Sequence, residues 1–211
     1  MKSTFMINNN LSKEIDMCFD NDDWSRAVDI LQNALDKNPD DHWILTRLSS
    51  VYYEMKEYDK ALQLSNRAMK IAPACPLALS NHASVLDMSK REKEAINIWN
   101  ILIKKRIDEV AYGECGEGRT WAKSLINDAV YRIGLSYLDI GEKKKALEYF
   151  GIHLKNRERG VFSNFSRKEV LFQISMIRKD MELKTQLTVR THEKTDGQLF
   201  METEKHCNED V

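Results

Sequence analysis

Residues 57–73 read EYDKALQLSNRAMKIAP, and the placement of their small residues and their proline decides the fold. The same residue types recur at intervals of 34, in the pairs Ala27 and Ala61, Ala34 and Ala68, and Pro39 and Pro73. Ala95 continues the first series. A period of 34 is typical of stacked helix–turn–helix units. Each unit is too thin to bury its apolar face alone, so neighbouring units must pack together as a solenoid.

The second unit, about residues 42–75, shows the helical period most clearly. Leu45, Leu48 and Tyr52 recur at spacings of three and four, which places them on one face of a helix. Asp40 or Asp41 is a suitable N-cap for that helix. A second helix follows the turn at residues 56–58 and ends at Pro73, because proline lacks an N–H and disfavours helix in the residue before it.

These residues resemble the tetratricopeptide repeat family. In the second unit the family's pattern appears as Tyr52, Tyr58, Ala61, Ala68 and Pro73. The first unit matches through Leu11, Trp24, Ala27, Leu31, Ala34 and Pro39. The third unit matches through Leu79, Ala83, Leu86, Ala95 and Trp99, but Ile107 stands where the family has proline. The family's small residues lie where paired helices cross closely.

A fourth unit is displaced along the chain. Its matching residues are Gly134, Tyr137, Gly141, Ala146 and Phe150, and Ala146 follows Ala95 by 51 residues, which is 17 more than one period. The resemblance implies an all-α, right-handed solenoid of about four helical hairpins with a C-terminal capping helix. The expected repeats are about 8–41, 42–75, 76–108 and 127–160, with an insertion at about 109–126, a capping helix at about 166–182 and a flexible acidic tail at 183–211.

Composition bounds the class of protein. The chain has 211 residues and a formal net charge of −1, and its N-terminus has no apolar segment typical of a secretory signal. Four scattered cysteines never form a C-x-x-C pair, which favours free thiols in a reducing cytoplasm over a disulfide framework or a zinc site. We expect a cytoplasmic protein that binds no membrane, no metal and no cofactor. The sequence leaves its oligomeric state open.

The histidines indicate no catalytic or metal-binding arrangement. Those at 42, 82, 153, 192 and 206 show no H-E-x-x-H or similar spacing. His82 and His153 occupy apolar or small-residue positions of the repeat, which favours buried, hydrogen-bonded side chains. The sequence therefore predicts that the protein is not an enzyme.

The resemblance implies that the first helix of each unit lines a concave groove. The candidate groove residues are Arg47, Ser50, Tyr53, Asn81, Ser84, Asp128, Tyr131 and Arg132. In family members that grip a C-terminal carboxylate, five basic and amide residues do so, and only Asn81 and Arg132 match that pattern here. The groove therefore suits an extended peptide or a helix. We expect a non-catalytic protein-interaction module or adaptor.

The insertion allows a second interpretation. Residues 113–128 read GECGEGRTWAKSLIND, and a glycine-rich turn that opens onto a helix can bind an anion, with Arg119 assisting. Glu114 and Glu117 would repel such an anion. Trp121 beside Arg119 is either a partner contact or packs against Val110 and Tyr112, and the sequence leaves both open.

The alternative functions follow from these features. The glycine-rich turn at 113–119 would make the protein a ligand or anion sensor. The basic middle section, with 19 Lys and Arg against 12 Asp and Glu in residues 90–179, would make it a less favoured nucleic-acid scaffold. Solvated helix faces are the default interpretation of those charges.

Overall fold

The computed structural model describes residues 2–183, a range that contains no β-strand. The first three helix pairs are α1 (Lys2–Asp20) with α2 (Trp24–Lys37), α3 (His42–Glu54) with α4 (Tyr58–Ile71), and α5 (Pro76–Met88) with α6 (Glu92–Ile103). A short helix α7 (Ile107–Tyr112) precedes the fourth pair, α8 (Arg119–Asp139) with α9 (Lys143–Glu158). The all-α fold with four helix pairs is confirmed. No helix of the described range has an apolar stretch long enough to cross a membrane.

The chain separates into two compact units after Phe165. The first contains α1 to α9 and the segment that follows α9. In the second unit residues 167–183 are helical, in the region predicted to form a capping helix, and Ser166 and Glu169 form the reciprocal hydrogen bonds of a capping box. The capping role stays a prediction. The predicted acidic tail lies, from residue 184 onward, outside the described residues.

Local sequence explains where the helices begin and where the chain turns between paired helices. The Asp41 carboxylate accepts hydrogen bonds from the backbone N–H groups of Trp43 and Ile44 at the start of α3, at 2.9 and 3.2 Å. The turns inside the hairpins repeat at the same interval as the alanines. Asp22, Lys56 and Lys90, 34 residues apart, all adopt a left-handed backbone with φ of 53 to 62°, and Gly141 takes this place in the fourth pair with φ of 81°.

The recurring alanines lie at the closest contacts inside the hairpins. Ala27, Ala61, Ala95 and Ala146 are all completely buried. The Ser49 hydroxyl of α3 donates a hydrogen bond to the Ala61 carbonyl of α4 at 2.9 Å, so the short serine side chain reaches the backbone of the paired helix directly. A large residue at any of these positions would separate the paired helices.

The insertion does not interrupt the stack, because α6 packs directly against α8. Helix α8 spans Arg119–Asp139, and α7 packs on its first turns. Val110, Ala111 and Ala122 are buried there as a small separate core. The extra residues therefore bulge out of the solenoid and cover the N-terminal part of α8.

Gly134 of α8 is the closest contact between the helices of the fourth pair. A Cβ atom at this position would lie 2.6 Å from Cε1 of Phe150, whose side chain is completely buried and cannot withdraw. We expect Gly134→Ala to lower the free energy of unfolding by about 1–3 kcal/mol through overpacking, as measured by chemical denaturation.

Gly151 of α9 supplies the matched control for that substitution. A Cβ atom there meets no other atom within 4 Å, and the residue is exposed within a helix. Gly151→Ala should therefore raise stability by about 0.5–1 kcal/mol, since alanine favours helix over glycine. If both variants changed stability in the same direction, the close contact between Gly134 and Phe150 would be contradicted.

Candidate functional site

Polar side chains connect the first helices of successive pairs, α1, α3, α5 and α8. Each contact joins one such helix to the next. The contacts pair Arg47 with Asp16 at 2.5 Å, Asn81 with Ser50 at 3.0 Å and Ser136 with Asp87 at 2.7 Å. We call these six residues the polar ladder. The structure thus brings together three of the predicted groove residues, namely Arg47, Ser50 and Asn81.

Arg47 places a partly desolvated positive charge between α1 and α3. Its guanidinium lies 4.6 Å from the ring centre of Phe19 and 5.9 Å from that of Trp43. Burial lowers the pKa of Arg47, while Asp16 and Glu117 oppose that shift. Its Nε atom is buried and makes no hydrogen bond. Arg47 therefore keeps one donor unused although the rest of its side chain is firmly held.

Asn81 also keeps one group unused. Its amide nitrogen donates to the Ser50 hydroxyl, whereas its Oδ1 atom is buried and has no hydrogen-bond partner. An unsatisfied buried acceptor costs about 1–3 kcal/mol, which a donor from a bound molecule would recover. Tyr53 and Ser84, also predicted for the groove, are half-buried, and the Tyr53 ring packs edge-on against Tyr58 at 5.9 Å.

Asp87 is a structural member of the polar ladder. Its carboxylate accepts hydrogen bonds from the Trp99 indole of α6 at 3.0 Å and from Ser136 of α8 at 2.7 Å. Burial raises the pKa of Asp87, and these two hydrogen bonds oppose the rise. With both carboxylate oxygens engaged, Asp87 ties α5, α6 and α8 together.

The predicted groove positions of α8 are occupied by the chain itself, which corrects the expectation for the fourth unit. Tyr131 is 5% exposed and stacks on Phe165 at 4.1 Å. Asp128 accepts hydrogen bonds from Ser163 and Asn164 at 2.5 and 2.7 Å, and the Arg132 guanidinium lies over Phe165. The segment after α9 folds back because it buries an aromatic ring there. The other predicted groove residues lie on α3 and α5.

The glycine-rich turn has its polar groups engaged within the chain. Arg119 forms an ion pair with Asp108. The N–H of Gly118 donates to the Ala111 carbonyl at 2.9 Å, and the N–H of Gly116 donates to the Gly113 carbonyl at 3.0 Å. These contacts engage the Arg119 side chain and two N–H groups of the turn within the chain, and the anion-binding interpretation of residues 113–119 stays a prediction.

Trp121 follows the packing interpretation. The Trp121 side chain is half-buried and packs against the small core that contains Val110. This packing is one of the two alternatives that the sequence left open. The other proposed neighbour, Tyr112, is 69% exposed and lies outside that core.

The structure also assembles a cluster that the sequence did not predict. Ligand-type atoms of His42, Cys75 and Cys115 all lie within 4.8 Å of one another, and both cysteines are free thiols. One signal was present in the sequence: His42 and Cys75 are 33 residues apart, close to one period, so they start neighbouring first helices. The repeat pattern does not predict the position of Cys115, because this residue lies in the insertion.

Comparison with known proteins agrees with this architecture. Sequence models described as tetratricopeptide repeat match residues 19–100 and residues 128–152, together just over half of the chain. The chain belongs to the tetratricopeptide repeat family. The gap between the two matches contains the insertion with α7.

A curated relative is human Superkiller complex protein 3. It is 29% identical over 137 residues, a stretch that covers 63% of this chain. The match spans only 8% of that relative's length.

Solved structures share the fold. A crystal structure of MamA protein aligns over 100% of this chain and 98% of its own, with a TM-score of 0.60 and 16% identity. MamA 41-end from Desulfovibrio magneticus RS-1 aligns over 96% and 97%, with a TM-score of 0.60 and 14% identity. The Sgt2 TPR domain from Aspergillus fumigatus covers 69% of this chain and 82% of its own, with a TM-score of 0.50 and 21% identity.

The two histidines at repeat positions are buried as predicted. His82 Nδ1 lies 3.0 Å from the Ser65 hydroxyl, and His153 Nδ1 lies 3.0 Å from the Asn127 carbonyl oxygen. A carbonyl oxygen only accepts, so His153 carries its proton on Nδ1. Its Nε2 is buried without a partner, and burial lowers the pKa of both histidines.

His153 should make the stability of the fold depend on pH. Its pKa in the folded chain lies below the unfolded value of about 6.5, so the unfolded chain takes up more protons as the pH falls through that value. Stability should therefore be constant above about pH 7 with respect to this group and fall below about pH 6.5, by at most about 1.4 kcal/mol per pH unit.

His153→Gln tests this dependence, because glutamine can still donate to the Asn127 carbonyl but does not titrate. We expect thermal unfolding between about pH 7.5 and 5.5 to show a shallower decline for His153→Gln than for the unchanged chain. Identical profiles would contradict a neutral buried His153. His82→Gln should flatten the profile in the same sense, since burial also lowers the pKa of His82.

Proposed function

We propose that this chain is a non-catalytic protein-interaction module that binds an extended peptide or a helix of a partner in the groove of α1, α3 and α5. The observation that carries the proposal is the polar ladder on the first helices, in which the predicted groove residues Arg47, Ser50 and Asn81 lie together. Membership of the tetratricopeptide repeat family supports it, since stacked repeats present an extended concave surface suited to binding.

The unused groups define the chemistry of the partner. Asn81 Oδ1 and Arg47 Nε are buried, so a partner would reach them once these side chains turn toward the groove. Oδ1 would then accept from a peptide backbone N–H, and Nε would donate to a carbonyl or carboxylate oxygen. A peptide backbone offers both kinds of group at short intervals. Tyr53 and Phe19, half-buried on α3 and α1, provide apolar ring surface for the partner's side chains.

The covered face of α8 limits how much of a partner the groove can hold. Three neighbouring helices with axes about 8–10 Å apart span about 20 Å between the outer axes. An extended chain covers this distance with about six residues, at about 3.3 Å each. A short linear segment is therefore the natural ligand for the uncovered part.

A random-peptide display library panned against the full chain tests the proposal. We expect enriched peptides whose affinity, measured by fluorescence anisotropy, falls about 10-fold in Asn81→Ala and in Arg47→Gln, the equivalent of about 1.4 kcal/mol each. Matched controls on the exposed face of α4 are Asn66→Ala and Lys70→Gln, which should bind as the unchanged chain does.

Two results would contradict the groove as the binding site. One is that no peptide is enriched over a denatured-protein background. The other is that the α4 controls weaken binding as much as the groove variants do. Arg47→Gln also removes the contact with Asp16, so its melting temperature must be compared with that of Asn81→Ala before its affinity is interpreted.

A further inference from the structure

Three potential metal ligands meet at one place although they come from separate parts of the chain. His42 is the first residue of α3, Cys75 directly precedes α5, and Cys115 lies in the loop between α7 and α8. Cys75 is buried, and the other two residues are half-buried. All three offer a ligand atom within 4.8 Å of the other two.

The spacing of these atoms suits a tetrahedral zinc ion. Zinc binds cysteine sulfur at about 2.3 Å and histidine nitrogen at about 2.0–2.1 Å, so neighbouring ligand atoms of a tetrahedron lie about 3.5–3.8 Å apart. His42 Nε2 lies 3.2 Å from Cys115 Sγ. An ion can therefore be accommodated through side-chain adjustments of less than about 1 Å, with no rearrangement of the helices.

The surroundings orient the ligands as metal sites do. His42 turns Nε2 toward Cys115 and presents Nδ1 to the Glu114 carboxylate at 3.7 Å. A ligating histidine ordinarily donates its other ring N–H to such an oxygen, which fixes the nitrogen that faces the metal. The same loop contacts the second cysteine, whose thiol donates a hydrogen bond to the Glu114 carbonyl oxygen at 3.7 Å. Cys75 must give up this proton when it binds zinc.

Hydrogen bonds within the cluster act on the two thiols. A hydrogen bond from the Cys115 thiol lowers the pKa of Cys75 to about 6 against the effect of burial, and the N–H groups of Ala78 and Leu77 assist. The same hydrogen bond between the two thiols raises the pKa of Cys115. Zinc must therefore displace the proton that lies between the two sulfur atoms.

We propose that His42, Cys75 and Cys115 bind one zinc ion, with a water molecule as the fourth ligand. Two thiolates with one imidazole form a donor set that suits zinc rather than magnesium or calcium, which require oxygen ligands. Such an ion would fasten the insertion to the starts of α3 and α5. It would thereby hold Glu117 of the same loop close to Arg47, whose pKa that acidic residue affects.

Zinc binding to the full chain tests this proposal, with Zn²⁺ alone as the probe. Protein purified under reducing conditions and freed of metal should bind one zinc per chain by native mass spectrometry. Cobalt substitution should produce the visible absorption of a tetrahedral thiolate site. Cys75→Ser, Cys115→Ser and His42→Ala should each lower zinc affinity by about 100-fold or more, measured by competition with a chromophoric chelator.

Two kinds of control variant separate the site from general effects on the fold. Cys18→Ser changes a buried thiol of α1, and Cys207→Ser changes the cysteine outside the described residues; both should bind zinc as the unchanged chain does. Glu114→Gln alters a mostly exposed side chain and should still fold, yet lower zinc affinity about 10–100-fold. If a variant of a buried cysteine fails to fold, the zinc affinity of Glu114→Gln tests the site instead.

Several outcomes would overturn the proposal. One is the absence of zinc binding by the reduced chain, and another is one zinc per chain retained at equal affinity in the Cys75→Ser, Cys115→Ser double variant. A third is a Cys75–Cys115 disulfide, shown by an intact mass lower by two hydrogens, that persists under the reducing conditions and excludes the metal. That result would assign the pair to a redox link.

Discussion

The close approach of paired helices at small residues is the constraint on which the rest of the fold depends. Ala61 is completely buried, and its carbonyl accepts the Ser49 hydroxyl of the opposing helix at 2.9 Å. Gly134 lies against the buried Phe150 ring in the same way in the fourth pair. These contacts set the distance within each hairpin, and that distance determines which face of the first helices remains for the groove. The polar ladder forms on that face because successive first helices then lie within hydrogen-bonding reach.

The groove is shaped as much by irregular segments as by the repeats. Residues 163–165 cover the α8 face, so the fourth pair completes the stack but contributes little open surface. The insertion lies beside the groove as well, since Cys115 contacts His42 at the start of α3 and Glu117 affects the pKa of Arg47. The surface that we propose for binding therefore lies on α1, α3 and α5, where Arg47 and Asn81 belong to the polar ladder.

Sequence reasoning predicted the regular elements well because they repeat. The 34-residue period located the buried alanines, the Asp41 cap follows from its position before a helical stripe, and the buried histidines were indicated by their apolar repeat positions. The same reasoning was wrong for Tyr131, which it placed in the groove. Its repeat position faces inward, but the sequence did not show that Phe165 would stack on it. Arg119 would assist an anion site in the alternative interpretation, and in the structure it pairs with Asp108.

The sequence by itself determined the helical hairpins and their stacking, because helical periodicity and the repeat interval decide which residues of each unit face a neighbour. Only the tertiary structure decided where the non-repeating segments lie, since their positions depend on contacts between residues far apart in the chain. His42 and Cys75 are nearly one period apart and start adjacent helices, but Cys115 reaches them through the path of the insertion. The polar ladder depends on the repeat. The His42, Cys75 and Cys115 cluster depends on the path of the insertion, and the covered face of α8 depends on the path of the segment after α9.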